Sequence, residues 1–543
     1  MAVSEILRAA REDTGATLRS VAGRVGVNPA YLSRVERGKV RPSRALLESL
    51  AKELELDEEQ VLVLGGFLPD AWRDSVERRS LRAYPSRIAT VSSGGGTADA
   101  VAEPTFPYAS SQTIERLDEL ADPLEALLPE GYVPSPELNE IYELKLALLE
   151  TKHLDRKGII ERGGYFIAVD GEPTRHFIFC TGGALRLPKD SGARLRSFLA
   201  NHQFKTSYAT HGLFPYRGKF HPQMVKALLN VMGLRPGDTV LDPMAGSGTT
   251  AVEAALMGIR SIAVDASPFC ELLARAKVAA LEADLSPLTR LLAHRRDLQR
   301  THAALSSKAG MERVRDLSYE PRGMSRATFE LLVLAFLDAR GYAERSSRKG
   351  EYEFFLDILR KYVDTVGRFH SALKEIAAPL GDARVMRGDA RCLSLPDASI
   401  DGALFSPPYS FAIDYLQNDA THLRYLGYEP NDLRSLMVGL NGRSRADQVT
   451  AYFEDMTRVL HELVRVLRPG ARCTMVVGSN VNQLTRIVGR AASNGELRCG
   501  LEGRLIEIAE ECGLHLELAI RRLIVGMRNS MREEHILILQ RGT

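Results

Sequence analysis

The segment TVLDPMAGSGTTAVEAALMG, residues 239–258, constrains the fold more than any other part of the chain. A short apolar run ends on Asp242, a turn with two glycines follows, and an alanine-rich helix opens at once. Glycine permits the tight backbone that such a turn needs, and the helix start offers free N–H groups. A second apolar run, SIAVD, ends on Asp265. Strand, glycine turn, helix and strand in that order predict a doubly wound, Rossmann-like α/β sheet. Residues 219–284 as a whole read helix, strand, loop, helix, strand, helix. Further strands are expected at ARVMRGD, SIDGALF and RCTMVVG, with LAIRRLIVG and HILILQ as a closing antiparallel pair. Residues 285–380 interrupt the alternation and predict a helical insert.

A chain of 543 residues exceeds what one hydrophobic core organises. Residues 1–68 read as a separate all-α unit. Apolar positions recur at helical spacing in Ile6-Leu7, Leu18-Val21-Ala22-Val25, Leu32-Val35 and Leu46-Leu47-Leu50-Leu54. Thr17 is expected to cap the second helix, Gly26 to break the chain, and Asn28-Pro29 to open the third, which is a helix-turn-helix pattern. Residues 69–130 contain PSRIATVSSGGGTADAVAEPTFPYASSQ and read as a flexible linker. Residues 131–207 suggest a small α+β accessory region, with a helix over 137–151 and a β element over 163–187. Residues 208–543 then form the α/β domain.

Bulk properties exclude several classes. Net charge is +2, so any nucleic-acid role must rest on local patches. Six scattered cysteines show no CxxC pair and no metal-ligand spacing, which predicts reduced thiols in the cytoplasm and no metal. No run of about 18 apolar residues offers a membrane span, and MAVSEILRAARED lacks the apolar core of a signal peptide.

The chemistry concentrates in two turns. Asp242 at a strand end suits a cationic ligand amine better than a pyrophosphate, and no lysine of P-loop type follows the glycines. Asp265, ending the next strand, can accept both hydroxyls of a ribose. Gly246 and Gly248 let the backbone approach a ligand. In Ser406-Pro407-Pro408-Tyr409 the two prolines remove two N–H donors and leave carbonyls free. The Ser406 oxygen and Pro407 carbonyl can accept both hydrogens of an exocyclic amine, and Tyr409 offers a face on which an extruded base stacks. Asp389, in GDA, can accept from an adenine amino group.

These motifs, in this order, resemble the amino-methyltransferase family that modifies adenine N6 or cytosine N4 in DNA. The resemblance covers residues 208–541. It rests on THGLFPYRGKFHPQMVKALL, DPMAGSGTT, VDASP, GDAR, SPPY, RVLRPG and EEHILILQ. It implies S-adenosylmethionine as cofactor. Phe220 and His221 would flank it, and Asp242, Pro243, Ala245, Gly246, Gly248 and Thr249 would hold the methionine end. Asp265 would take the ribose and Asp389 the adenine, with Ser406, Pro407, Pro408 and Tyr409 as the catalytic turn. Serine rather than Asp or Asn at 406 points to cytosine N4. One departure stands out: many N4-cytosine enzymes carry the catalytic motif ahead of the glycine loop, whereas here it follows. The implied activity is site-specific cytosine-N4 methylation of duplex DNA with the target base flipped out. A restriction–modification or epigenetic role follows, with a cognate endonuclease as candidate partner. N6-adenine methylation, RNA base N-methylation and an S-adenosylmethionine-sensing transcription regulator stand as alternatives.

Residues 1 to about 66 resemble the phage-repressor type of helix-turn-helix. Seven basic residues between Arg19 and Arg44 face one acid, Glu36. By that resemblance Asn28, Tyr31, Ser33 and Arg34 read DNA, with Arg37 and Lys39 beside them. Val27, Leu32 and Val35 are expected in the core, and a homodimer is expected because such modules bind palindromes. A second basic patch spans 290–349, with Arg295, Arg296, Arg322, Arg326, Arg345, Arg348 and Lys349. It is the first candidate for target recognition, and the loop 427–447, with Arg434, Arg443 and Arg445, is its rival.

Overall fold

The computed structural model describes residues 3–69, 72, 128–135, 138–181, 207–216, 218–316, 318–319, 321–345, 349–408, 414–442, 444–479, 501–523 and 533–543. At the front lie α1 (Val3–Asp13), α2 (Leu18–Arg24), α3 (Pro29–Glu36), α4 (Arg44–Glu53) and α5 (Glu58–Leu64). Thr17, Asn28, Ser43 and Asp57 each accept a backbone N–H of the helix they precede, which satisfies donors the helix itself cannot. Gly26 turns the chain between α2 and α3 at φ 71°. Leu7, Val21, Leu32, Val35, Leu47 and Leu50 form the core, and Val27 packs against it half-buried. Glu36 is buried and paired with Arg11 at 2.6 Å, so the acid inside the basic run is structural.

The main sheet has the order β6-β5-β4-β7-β8-β10-β9. Its strands are β4 (Thr239–Asp242), β5 (Arg260–Asp265), β6 (Ala383–Arg387), β7 (Ile400–Phe405), β8 (Leu467–Ser479), β9 (Leu514–Leu523) and β10 (Glu533–Arg541). Strands β4 to β8 pair in parallel, and β10 runs antiparallel to both β8 and β9. Side chains alternate between the faces as the two-residue period requires. Val240, Leu404, Val476, Ile520 and Ile536 join one core with helices Ile141–His153 and Pro222–Val231. Leu241, Phe405, Met475, Val477 and Leu537 join another with helices Arg445–Val466 and Leu501–Glu511. This is a Rossmann-like sheet between helical layers.

The insert is helical as expected, from Ser286–Ala293 through Glu351–Ile376. It packs on the sheet domain through Phe336, Phe355 and Tyr362, and the Tyr362 hydroxyl accepts the Phe214 N–H at 2.8 Å. The segment 163–187 departs from the β expectation. Phe166–Val169 and Glu172–Pro173 pair as β2 and β3 beside β1 (Tyr132–Pro134), but Arg175–Thr181 is a helix. The Thr174 hydroxyl accepts the Phe177 N–H at 3.1 Å and starts it. An apolar run such as HFIFC suits either element, and the cap decides.

The stretch read as linker begins and ends inside the fold. Trp72 and Leu128 are buried in the core that also holds helix Pro222–Val231, while residues 73–127 lie outside the described part. Residues 65–68 bind the front helices to the rest. Leu68 N–H donates to Asn139 O at 2.9 Å, Ile141 N–H donates to Gly66 O at 3.1 Å, and Phe67 forms a β-bridge with Glu140.

Candidate active site

A cleft of about 1000 Å3, its solvent-filled mouth included, opens at the C-terminal edge of the parallel strands. There β4 delivers Asp242, β5 delivers Asp265 and β7 delivers the Ser406 turn, so three motifs far apart in sequence meet in one place. An open α/β sheet binds its ligand at this edge, at the point where strand order reverses between β4 and β7.

Asp265 organises the glycine turn. One carboxylate oxygen accepts Gly246 N–H at 2.7 Å and the other accepts Ser267 N–H at 2.8 Å. Asp242 accepts Met244 N–H at 3.1 Å. Gly246 adopts φ 49°, and a Cβ there would stand 3.8 Å from the Tyr216 ring, over the cleft. Gly248 behaves differently. It is absent from the cleft lining and lies where a Cβ would meet Ala274 backbone at 2.8 Å. Its role is close packing against helix Pro268–Ala279, which corrects the expectation that both glycines approach the ligand.

The remaining expected residues divide similarly. Phe220, Pro243, Ala245, Thr249, Asp389, Ser406, Pro407 and Pro408 line the cleft. His221 is not in the lining. It stands half-buried at the N-cap position of helix Pro222–Val231 without a side-chain capping bond, and desolvation of its ring lowers its pKa to about 4. Asp389 is already engaged, because Arg391 donates to both of its oxygens at 2.9 and 2.7 Å. Burial opposes ionisation of Asp389, yet the guanidinium overrides it and holds the carboxyl below its usual range. The Ser406 hydroxyl donates to Val476 O of β8 at 2.9 Å. Tyr409 lies outside the described residues.

The cleft also contains residues that motif reading missed. Tyr216, inside the quoted THGLFPYRG segment, has its hydroxyl 3.3 Å from Cys270 Sγ. Asp419 enters from beyond the catalytic turn and belongs to no motif. Burial raises Asp242 and Asp419 to about 7 and Asp265 to about 6, with Asp265 adding to the shift of Asp419. Three carboxyls thus share one cleft; Lys219 also lines it, but its ammonium donates to His211 O at 3.1 Å. Among the described residues no cluster could hold a metal ion, and no helix is long and apolar enough to cross a membrane.

The basic surfaces are less uniform than the sequence implied. Arg37 and Lys39 are exposed, Asn28 is exposed but spends its side-chain oxygen capping α3, and Tyr31, Ser33 and Arg34 are half-buried. Arg41 and Arg44 point inward. Arg44 donates to Leu68 O and pairs with Glu48, and Arg41 is almost fully enclosed. Two of the seven expected phosphate-facing cations therefore serve packing. In the insert, Arg295, Arg296, Arg322 and Arg345 are exposed, whereas Arg326 pairs with Glu330 and Lys349 with Asp357. Arg348 and Arg443 lie outside the described residues.

Fold and cleft together define an S-adenosylmethionine-dependent methyltransferase. Residues 213–306 match the RMKL-like methyltransferase domain, and residues 3–64 match a helix-turn-helix domain. The chain is 22% identical over 355 residues to the type II methyltransferase M.BsoBI of Geobacillus stearothermophilus, 55% of this chain and 68% of that one. It is 48% identical over 68 residues to the type II methyltransferase M.MjaII of Methanocaldococcus jannaschii, spanning 12% of this chain and only 13% of that protein. The transcriptional regulator ClgR of Mycobacterium tuberculosis is 38% identical over 98 residues, 18% of this chain and 80% of the regulator. By its front segment the chain belongs to the helix-turn-helix family.

The cleft fits the cofactor chemically. S-adenosylmethionine carries a sulfonium and an ammonium, and two buried acids, Asp242 and Asp419, with the half-buried Asp265 complement such a ligand. A pH dependence follows. In the unfolded chain these acids ionise near 3.8, but in the ligand-free fold they keep their protons longer, so they lower stability as pH rises from about 4 to about 7. A bound cation favours the carboxylates, so affinity should rise through the same window. We expect binding about tenfold tighter at pH 8 than at pH 6, with proton release at pH 6. Calorimetry in two buffers of different ionisation enthalpy measures both, and a flat profile would remove the acids from cofactor binding.

Proposed function

We propose that the chain methylates an exocyclic amino group of a base in duplex DNA, with cytosine N4 as the target. The observation that carries this reading is the placement of Ser406, Pro407 and Pro408 in the lining of the acid cleft. The Ser406 hydrogen is committed to Val476 O, so its oxygen meets any further partner as an acceptor. Pro407 and Pro408 bring no N–H into the turn. Acceptors without competing donors suit an amine that must be oriented and relieved of its conjugation with the ring. When bound, S-adenosylmethionine supplies a methyl group already activated on sulfur. The residues of the chain then need to hold the amine nitrogen in line and keep water out, which is catalysis by alignment. Asp265 and Gly246 would fix the cofactor end, and Ser406 with Pro407 the base end.

DNA as substrate is supported by the helix-turn-helix front and by relatives named type II methyltransferases. A flipped base is required, because an amine inside the helix cannot reach a recessed cleft. A cognate endonuclease and a homodimer belong to the same reading. Leu436, Met437 and Val438 border the cleft, which favours the 427–447 loop over the insert as the part that touches bases beside the target. Incubation with labelled S-adenosylmethionine and duplex DNA, then nucleoside analysis, tests the proposal. N4-methylcytosine is expected. N6-methyladenine would overturn the base, and label in RNA alone would overturn the substrate.

A further inference from the structure

Arg41 is the hub through which the helix-turn-helix domain is fixed to the sheet. Its guanidinium donates to Gly65 O at 3.1 Å within its own domain and to Leu523 O, at the end of β9, at 2.7 Å. It pairs with Glu140 at 3.2 Å and stacks on Phe67 at 4.1 Å. Gly66 lies so near Leu523 that a Cβ would approach its side chain to 2.8 Å. Trp72, the single tryptophan, is buried just beyond, in the core shared with the sheet. A domain that merely tethers would not bury an arginine and a tryptophan at its junction.

The place of this junction matters. Strand β9 runs in the same direction as β7, so Leu523 lies at the edge where the catalytic turn emerges. Pairing aligns Phe405 with Met475, Met475 with Leu537 and Leu537 with Ala519. Three strand spacings separate β7 from β9, about 14 Å, and Leu523 stands four residues beyond Ala519, about 13 Å higher. The rim that carries the helix-turn-helix domain is therefore about 20 Å from the catalytic turn. One turn of B-DNA is about 34 Å.

We propose that the recognition helix and the catalytic turn hold one and the same duplex. The front domain then forms part of the target-recognition surface of the enzyme, instead of a separate operator-binding module. This rests on the DNA-methyltransferase reading above. Arg37 and Lys39, exposed at the end of α3, are the phosphate contacts of that shared duplex.

The test uses the full chain, labelled S-adenosylmethionine and unmethylated genomic DNA, with modified positions mapped by sequencing. Wild-type sites are expected to share a second sequence element within about 10 base pairs of the modified base. An Arg37→Ala/Lys39→Ala variant should lose at least about tenfold in kcat/KM for duplex, with cofactor affinity and Trp72 emission unchanged. Arg41→Ala should shift Trp72 emission to the red and lower methylation while duplex binding persists. If the Arg37→Ala/Lys39→Ala variant binds duplex more weakly yet methylates the same sites at the wild-type rate, the domain holds other DNA and the proposal falls. A wild-type chain that labels no DNA brings down the parent reading instead.

Discussion

Replacing Ser406 by alanine is expected to lower the turnover of methyl transfer by about 100-fold while cofactor affinity stays within about twofold. Two losses combine at one atom. On the proposed reading the acceptor that orients the amine disappears, and Val476 O loses the 2.9 Å bond that ties the turn to β8. An interaction made only as the amine loses its planarity affects kcat and leaves cofactor binding alone. Ser406→Cys gives a control, since the thiol keeps the approximate shape but accepts hydrogen bonds weakly, and it should fall between the two. Single-turnover transfer and calorimetric titration of S-adenosylmethionine separate the two quantities. Unchanged turnover in Ser406→Ala would remove the hydroxyl from the chemistry. A parallel loss of cofactor affinity would make it a scaffold for the cleft.

The sheet was legible in the sequence because its order is written in local signals. Strands β4, β5 and β7 end where Asp242, Asp265 and Ser406-Pro407 interrupt an apolar run, and those interruptions line the cleft. Residues whose position depends on chain paths crossing in space were not legible. Asp419 reaches the cleft because the helix that follows it, Ala420–Tyr425, packs against helices Pro268–Ala279 and Arg326–Arg345, and no spacing within one segment announces that. Arg41 could not be told from Arg37 by charge pattern, since what turns it inward is Leu523, nearly five hundred residues away. The helix Arg175–Thr181 was misread for a different reason, a uniform apolar run in which one cap outweighs periodicity. Gly246 and Gly248 were read alike because both permit a turn, and only their neighbours separate them.

That separation can be measured. Gly248→Ala is expected to destabilise the fold by about 2–4 kcal/mol, from left-handed strain combined with overpacking. At φ 74° an alanine is strained already, and its methyl would meet Ala274 Cα at 2.8 Å, a backbone atom held inside helix Pro268–Ala279. Neither helix can retreat without opening the core that Leu272, Leu273 and Ala276 form on the far side. Gly246→Ala carries a similar backbone strain at φ 49°, about 1–2 kcal/mol, but its methyl has open space, with Tyr216 3.8 Å away. What it fills is the cleft beside the Gly246 N–H that Asp265 holds. Denaturant midpoints should therefore fall further for Gly248→Ala, while cofactor affinity should fall further for Gly246→Ala. Equal effects on both quantities would mean that the turn acts as one unit, and the division between packing glycine and binding glycine would have to be abandoned.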